Sequence, residues 1–266
     1  MPVMREYPPG TPCWADLSTP DARASSAFYG GLFGWEVNSP AGSDAGAYAF
    51  FVPAGTPADE APARLVAGLM PLTSEVQPAG WNTYVSVTDA AATAELVAEA
   101  GGQVLVPPMD IDGQGTMTMF ADDQGARIAA WQPKAFRGAG LVNEPGCLCW
   151  NELACRDTAA AERFYGRVFG WQADTSQMGP MTYTEWKLDG RTVGGMAHMD
   201  ENWPEGISPH WMVHFAVADC DAAAARTAEL GGQVRVPPTD VPPGRFAVVA
   251  DPAGAVFTII KLTALG

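Results

Sequence analysis

Along the chain, short stretches that alternate apolar and polar residues are followed by Ala-rich stretches with apolar residues three and four apart. Alternation predicts half-buried strands and the three-to-four spacing predicts helices. CWADLS (13–18) reads as a strand leading to Asp21 and a helix over DARASSAFYGGLF. Two or three strands follow, roughly AYAFFV and RLVAGLM. NTYVSV (82–87) then leads to Asp89 and a second helix, DAAATAELVAEA, before QVLV, TMTMFA and ARIAAW as further strands. The order is β-α-β-β-β, twice over.

The same rhythm returns in the second half of the chain. FYGGLFGW (28–35) recurs as FYGRVFGW (164–171), 136 positions later. That register also pairs Trp14 with Trp150, Asp16 with Glu152, Leu17 with Leu153 and Asp21 with Asp157. WNTYVSVTD…AGGQVLVPP matches WMVHFAVAD…LGGQVRVPP at a shift of 130, and Asp122 and Gly125 align with Asp251 and Gly254. The chain therefore divides into two copies, 11–133 and 147–262, with the Pro- and Gly-containing stretch 134–146 between them as a linker. Asp21, Asp89, Asp157 and Asp219 each stand where a helix begins, the place of an N-cap. Gly34 is expected to close its helix in the left-handed conformation.

Composition narrows the function classes. Thirty acidic residues against 15 basic ones give a formal charge of −15 and no Lys/Arg cluster, which disfavours nucleic-acid and anionic-membrane partners. No apolar run reaches the roughly 18–20 residues of a membrane span. The opening MPVMREYPPG lacks a basic region followed by an apolar stretch, so a cytoplasmic protein is expected. Five cysteines, with only a C-x-C at 147–149, are read as small buried apolar residues rather than zinc ligands or disulfides.

The repeated motifs W-x-D-L and W-N-E-L, the two FYG octapeptides, the VTD and VAD joints, the GGQV segments and the DDQGARI and DPAGAVF endings resemble the vicinal oxygen chelate superfamily, also called the glyoxalase/bleomycin resistance/dioxygenase superfamily. The resemblance spans nearly the whole chain and implies an α+β fold. Its four βαβββ modules would pair into two cup-shaped sheets, one per copy, with helices outside and the ligand inside. It also implies a divalent ion held by His, Glu or Gln on the module strands. The ligand-bearing positions, counted from the helix-starting Asp and the D-x-x-G turn, hold Trp14, Asn82 and Ala129 in the first copy. In the second they hold Trp150, Met212 and Thr258. Imidazole and carboxylate are the usual ligands of Zn, Mn, Fe or Ni, and none stands there. The spacing does not place the remaining ligand strand at Gly68 or Gly195.

Strand parity gives the residues that face each cup. Trp14, Asp16, Asn82, Tyr84 and Trp131 are expected in the first. Trp150, Glu152, His210, Met212, His214 and Thr258 are expected in the second. Trp211, Val213, Phe215 and Val217 take the opposite face. Glu152 and His214 are the candidate acid/base pair, and a tryptophan face suits a flat ligand. The expected function is binding of a small apolar or aromatic molecule without the usual metal, as a sequestering protein or a cofactor-free acid/base enzyme. The alternative is a metal-dependent lyase or dioxygenase of glyoxalase type, in which a cluster of His198, His210 and His214 is one conceivable site. Fusion of two copies favours a monomer over a homodimer.

Overall fold

A computed structural model describes residues 3–39, 48–72, 78–178, 181–204 and 206–263 of the 266-residue chain. The first copy contributes β1 (Pro12–Thr19), α1 (Ala22–Phe33), β2 (Trp35–Asn38), β3 (Ala49–Pro53), β4 (Ala67–Pro71), β5 (Gly80–Ser86), α2 (Ala90–Glu99), β6 (Gln103–Ile111), β7 (Gly115–Ala121) and β8 (Arg127–Pro133). The second contributes β9 (Leu148–Cys155), α3 (Thr158–Phe169), β10 (Gln172–Met178), β11 (Met181–Leu188), β12 (Arg191–His198), β13 (His210–Ala216), α4 (Cys220–Glu229), β14 (Gln233–Val241), β15 (Gly244–Ala250) and β16 (Val256–Leu262). Each copy forms one eight-stranded sheet, ordered β2-β3-β4-β1-β5-β8-β7-β6 and β10-β11-β12-β9-β13-β16-β15-β14. This is the α+β arrangement of four βαβββ modules paired into two cup-shaped domains.

The four helices start as the sequence demands. Asp21, Asp89, Asp157 and Asp219 have extended backbones, and their carboxylates accept hydrogen bonds from the first-turn N–H groups. Gly34 and Gly170 end α1 and α3 at φ 69° and 75°, where a Cβ would be strained.

The helix-bearing faces of the two sheets pack on each other, and their cores are shared between copies. One core joins Phe28, Tyr29, Trp35 and Phe51 of the first copy to Val213, Phe215, Val249 and Phe257 of the second. The other joins Val85, Phe120 and Ile128 to Phe164, Tyr165, Trp171, Trp186 and Trp211. Burying these faces together removes from water what neither sheet could cover alone. Between the central strands, Thr83 Oγ1 donates to Asn151 Oδ1 at 2.9 Å.

The two octapeptides belong to this seam. Tyr29 donates to Asp251 Oδ2 and accepts from Trp81 Nε1, while Tyr165 donates to Asp122 Oδ2 and accepts from Trp211 Nε1. Their one Gly/Arg difference also has a local cause. Gly31 lies where a Cβ would come within 2.8 Å of Leu230 on α4, whereas Arg167 reaches Glu99 on α2 at 2.6 Å. The stretch between the copies is likewise no loose tether. Ala139 and Leu141 are buried, Ala139 N bonds Cys13 O, and Gly140 N bonds Leu65 O.

Candidate functional site

Strand pairing brings Asp16 beside Asn82 and Trp14 beside Tyr84 in the first copy, and Glu152 beside Met212 and Trp150 beside His214 in the second. The two cups differ in what fills them. In the first, Trp14, Tyr84 and Trp131 pack with Cys13, Val52, Leu65, Tyr7, Phe50 and Phe136. Phe136 meets the Trp14 ring edge-on at 4.9 Å, and Trp131 Nε1 donates to Phe136 O. Trp14 and Asp16 are 2% and 1% exposed. The first cup is packed with its own side chains.

At its centre Asp16 accepts three hydrogen bonds. Asn82 donates to Oδ1 at 2.8 Å, and Tyr84 and Tyr48 donate to Oδ2 at 2.8 and 3.1 Å. Trp14 Nε1 in turn donates to the Tyr48 hydroxyl. Burial raises the Asp16 pKa, and these three donors pull it back.

The second cup repeats half of this network. Trp150 Nε1 donates to the Tyr183 hydroxyl at 2.9 Å, which donates to Glu152 Oε2 at 2.6 Å. The counterpart of Asn82 is Met212, paired with Glu152 across β9 and β13, and the counterpart of Tyr84 is His214, paired with Trp150. Neither replaces the lost donors. The Met212 sulfur instead accepts from Thr258 Oγ1, and Tyr183 alone donates to Glu152 among the described residues. Trp150, Glu152 and Met212 are half-buried rather than sealed. Burial raises the Glu152 pKa, against the Tyr183 hydrogen bond that lowers it.

His214 is 8% exposed, its Nε2 has no hydrogen-bond partner, and burial lowers its pKa from 6.5 to about 3. It is therefore a neutral imidazole at ordinary pH. Glu152 and His214 stand on neighbouring strands of one face, yet no hydrogen bond or ion pair joins them among the described residues. The other histidines lie apart. His210 sits half-buried at the start of β13 with Nδ1 2.8 Å from Ser208 O, and His198 is exposed at the end of β12.

Tyr48 and Tyr183 are absent from the sequence-derived site, although they hold its geometry. Both cross a glycine to reach the carboxylate. Gly68 pairs with Asp16 and Gly195 with Glu152, and a Cβ on either glycine would collide with the tyrosine hydroxyl. The signal was present in the repeat, since AYAF and TYTE each place a Tyr ahead of these glycines.

The metal positions implied by the resemblance thus hold Trp150, Met212 and Thr258, and Tyr183 lies over Gly195 beside Glu152. An indole and a thioether already engaged by a threonine do not fit a divalent ion that takes imidazole and carboxylate. Among the described residues no three His, Cys, Asp or Glu side chains converge.

Comparison with known proteins agrees with the fold. Residues 149–260 match a glyoxalase-like domain, and residues 13–130 match the Glyoxalase/Bleomycin resistance protein/Dioxygenase superfamily. The chain is 40% identical over 264 residues to the protein named "Putative glyoxylase CFP32" of Mycobacterium tuberculosis, covering 98% of each. It is 36% identical over 274 residues to the anthracycline biosynthesis protein DnrV of Streptomyces peucetius, covering 97% of this chain and 96% of that one. The fold is shared with the Mn(II)-bound glyoxalase of Novosphingobium aromaticivorans (TM-score 0.63, 16% identity, 95% of this chain and 82% of that one). It is shared too with the 2,3-dioxygenase LapB of Pseudomonas sp. KL28 (TM-score 0.61, 16% identity, 94% and 91%). With both halves matched and full-length relatives at this identity, the chain belongs to the glyoxalase/bleomycin resistance protein/dioxygenase superfamily.

Proposed function

We propose that the second cup binds a small, flat, largely apolar or aromatic molecule without the family's usual metal, and that the first cup is the scaffold that supports it. The observation that carries this reading is the contrast between homologous faces. The first is sealed by Phe50, Phe136 and Tyr7, while the second keeps Trp150 and Met212 half-buried around a carboxyl with one donor. An indole face and a thioether offer contact area with little entropic cost. The name of DnrV and its relative DauV, anthracycline biosynthesis proteins, supports an aromatic ligand.

Sequestration is the first role of this reading. Acid/base work is the second reading, and the raised pKa of Glu152 favours it. A carboxyl held by Tyr183 could take a proton from a bound ligand and return it. His214, neutral and unlinked to Glu152, would contribute a hydrogen bond rather than a charge.

Titration calorimetry of wild-type protein and Trp150→Ala against 2-naphthol tests the proposal. Saturable binding at one site per chain, weakened at least tenfold by the substitution, is expected. Binding that ignores Trp150→Ala would place the ligand elsewhere. Incubation of bound ligand in D2O, followed by NMR, separates the two roles. Exchange of ligand C–H that is abolished by Glu152→Gln at ligand concentrations that saturate the variant marks acid/base chemistry.

A further inference from the structure

From the unequal hydrogen bonding of the two carboxyls, we infer that the ligand of the second cup carries a phenolic or enolic hydroxyl that bridges Glu152 and His214. This rests on the small-molecule reading above and adds the functional group that the site recognises.

The first cup supplies the comparison. Asp16 and Glu152 occupy the same register position, each opposite a glycine on one side and a β5 or β13 residue on the other. Each receives one hydroxyl from a tyrosine that crosses that glycine. In the first cup the chain adds two more donors to this carboxyl, the Tyr84 phenol and the Asn82 amide. In the second, His214 and Met212 stand at those two positions and neither reaches Glu152. The first cup is thus the second in filled form, with a phenol on the carboxyl and the aromatic ring of Phe136 against the equivalent tryptophan.

A second observation points to the same group. The orphaned Nε2 of His214 lies in a residue more than nine-tenths buried, on the concave face. A buried polar atom without a partner is costly, and few remain so when a protein is in its working state. Diagonal neighbours on paired strands have Cα atoms roughly 7–8 Å apart, close enough for one oxygen to meet both side chains. A hydroxyl is the group that can donate to Glu152 and, with His214 in its Nε2–H tautomer, accept from His214 at once. An ether can accept but has no proton to donate to Glu152, a bare ring can do neither, and a carboxylate would meet Glu152 as a second acceptor.

Equilibrium dialysis of the full chain against 2-naphthol and 1-hydroxypyrene, each beside its methyl ether, tests this. Wild-type protein should bind each hydroxyarene about tenfold or more tightly than its ether, the effect expected when a hydroxyl satisfies buried groups that the ether leaves unsatisfied. Glu152→Gln should bring the pair within about twofold of each other. In case that variant unfolds, Met212→Asn with His214→Tyr installs the donors of the first cup. It should lower hydroxyarene binding to the level of the ether or below without lowering the thermal midpoint. Equal binding of hydroxyarene and ether by the wild type, or a preference that survives both variants, would overturn the hydroxyl assignment alone. Binding of neither probe by the wild type would reject the aromatic-ligand reading and this inference with it.

Discussion

The Tyr165 hydroxyl donates to Asp122 Oδ2 at 2.9 Å across the seam between the copies, and Tyr29 makes the matching bond to Asp251 at 3.2 Å. Each octapeptide thereby closes on the turn of the opposite copy. Asp122 and Asp251 also accept the backbone N–H groups of their own turns, so each tyrosine fixes both a turn and an interface.

Replacing either tyrosine with Phe leaves a buried carboxylate oxygen and an indole N–H without that partner. Each substitution should cost about 1–3 kcal/mol in urea unfolding, the usual range for a buried group left unsatisfied. The tyrosines lie in separate cores, so the double variant should lose close to the sum. A loss below 0.5 kcal/mol on the general scale of exposed substitutions would show the seam does not depend on them.

His214 sets a pH dependence. Its folded-state pKa is about 3 against the ordinary 6.5, so below pH 6.5 the unfolded chain takes up a proton that the folded one refuses. Its contribution is complete above pH 6.5 and is lost as pH falls towards 3, by about 1.4 kcal/mol per unit. Glu152, Asp16, Asp122 and Asp251 have raised pKa values and act with the opposite sign, favouring the fold at lower pH. The difference between wild type and His214→Gln isolates the histidine. Between pH 7 and pH 5 the wild type should lose roughly 2 kcal/mol relative to the variant. Parallel pH curves would mean that His214 is solvated or charged in the folded protein.

Phe136 is the plug of the first cup. Phe136→Ala should destabilise the protein by about 2–4 kcal/mol, somewhat below or within the range for a large aromatic truncated in a core. It should also raise the binding stoichiometry of 2-naphthol from one per chain towards two, as Trp14 becomes accessible. Unchanged stoichiometry would show that the remaining aromatic residues seal the cup without it.

Divalent ions should not matter to binding. Dialysis against EDTA followed by addition of Zn, Mn, Fe or Ni should leave 2-naphthol affinity within twofold and the thermal midpoint unmoved. The reason is that the ligand positions the resemblance implies hold Trp150, Met212 and Thr258, none of which supplies an imidazole or a carboxylate. Stoichiometric metal with a raised midpoint would restore the metal-dependent alternative.

Much of this architecture is legible in the sequence because period-two and period-3.6 patterns are local properties. The concave and convex faces of β13 follow from parity alone, with Trp211, Val213 and Phe215 in the shared cores and Met212 and His214 opposite them. The four aspartate caps follow from the position of one residue type. What stays hidden depends on contacts distant in sequence. Nothing local shows that Tyr183 passes over Gly195 to reach Glu152, or that the stretch after residue 133 folds back into the first cup. The expected pairing of Glu152 with His214 came from shared parity, but a shared face does not ensure contact. Glu152 turns to Tyr183, and His214 Nε2 stays without a hydrogen-bond partner.

The most direct measurement is a crystal structure of the full chain grown with 2-naphthol and without added metal. The ring should lie against Trp150 in the second cup, its hydroxyl within hydrogen-bonding distance of Glu152, with no ligand density in the first cup. A ring in the first cup beside Trp14, or a second cup occupied only by solvent at saturating ligand, would contradict the account.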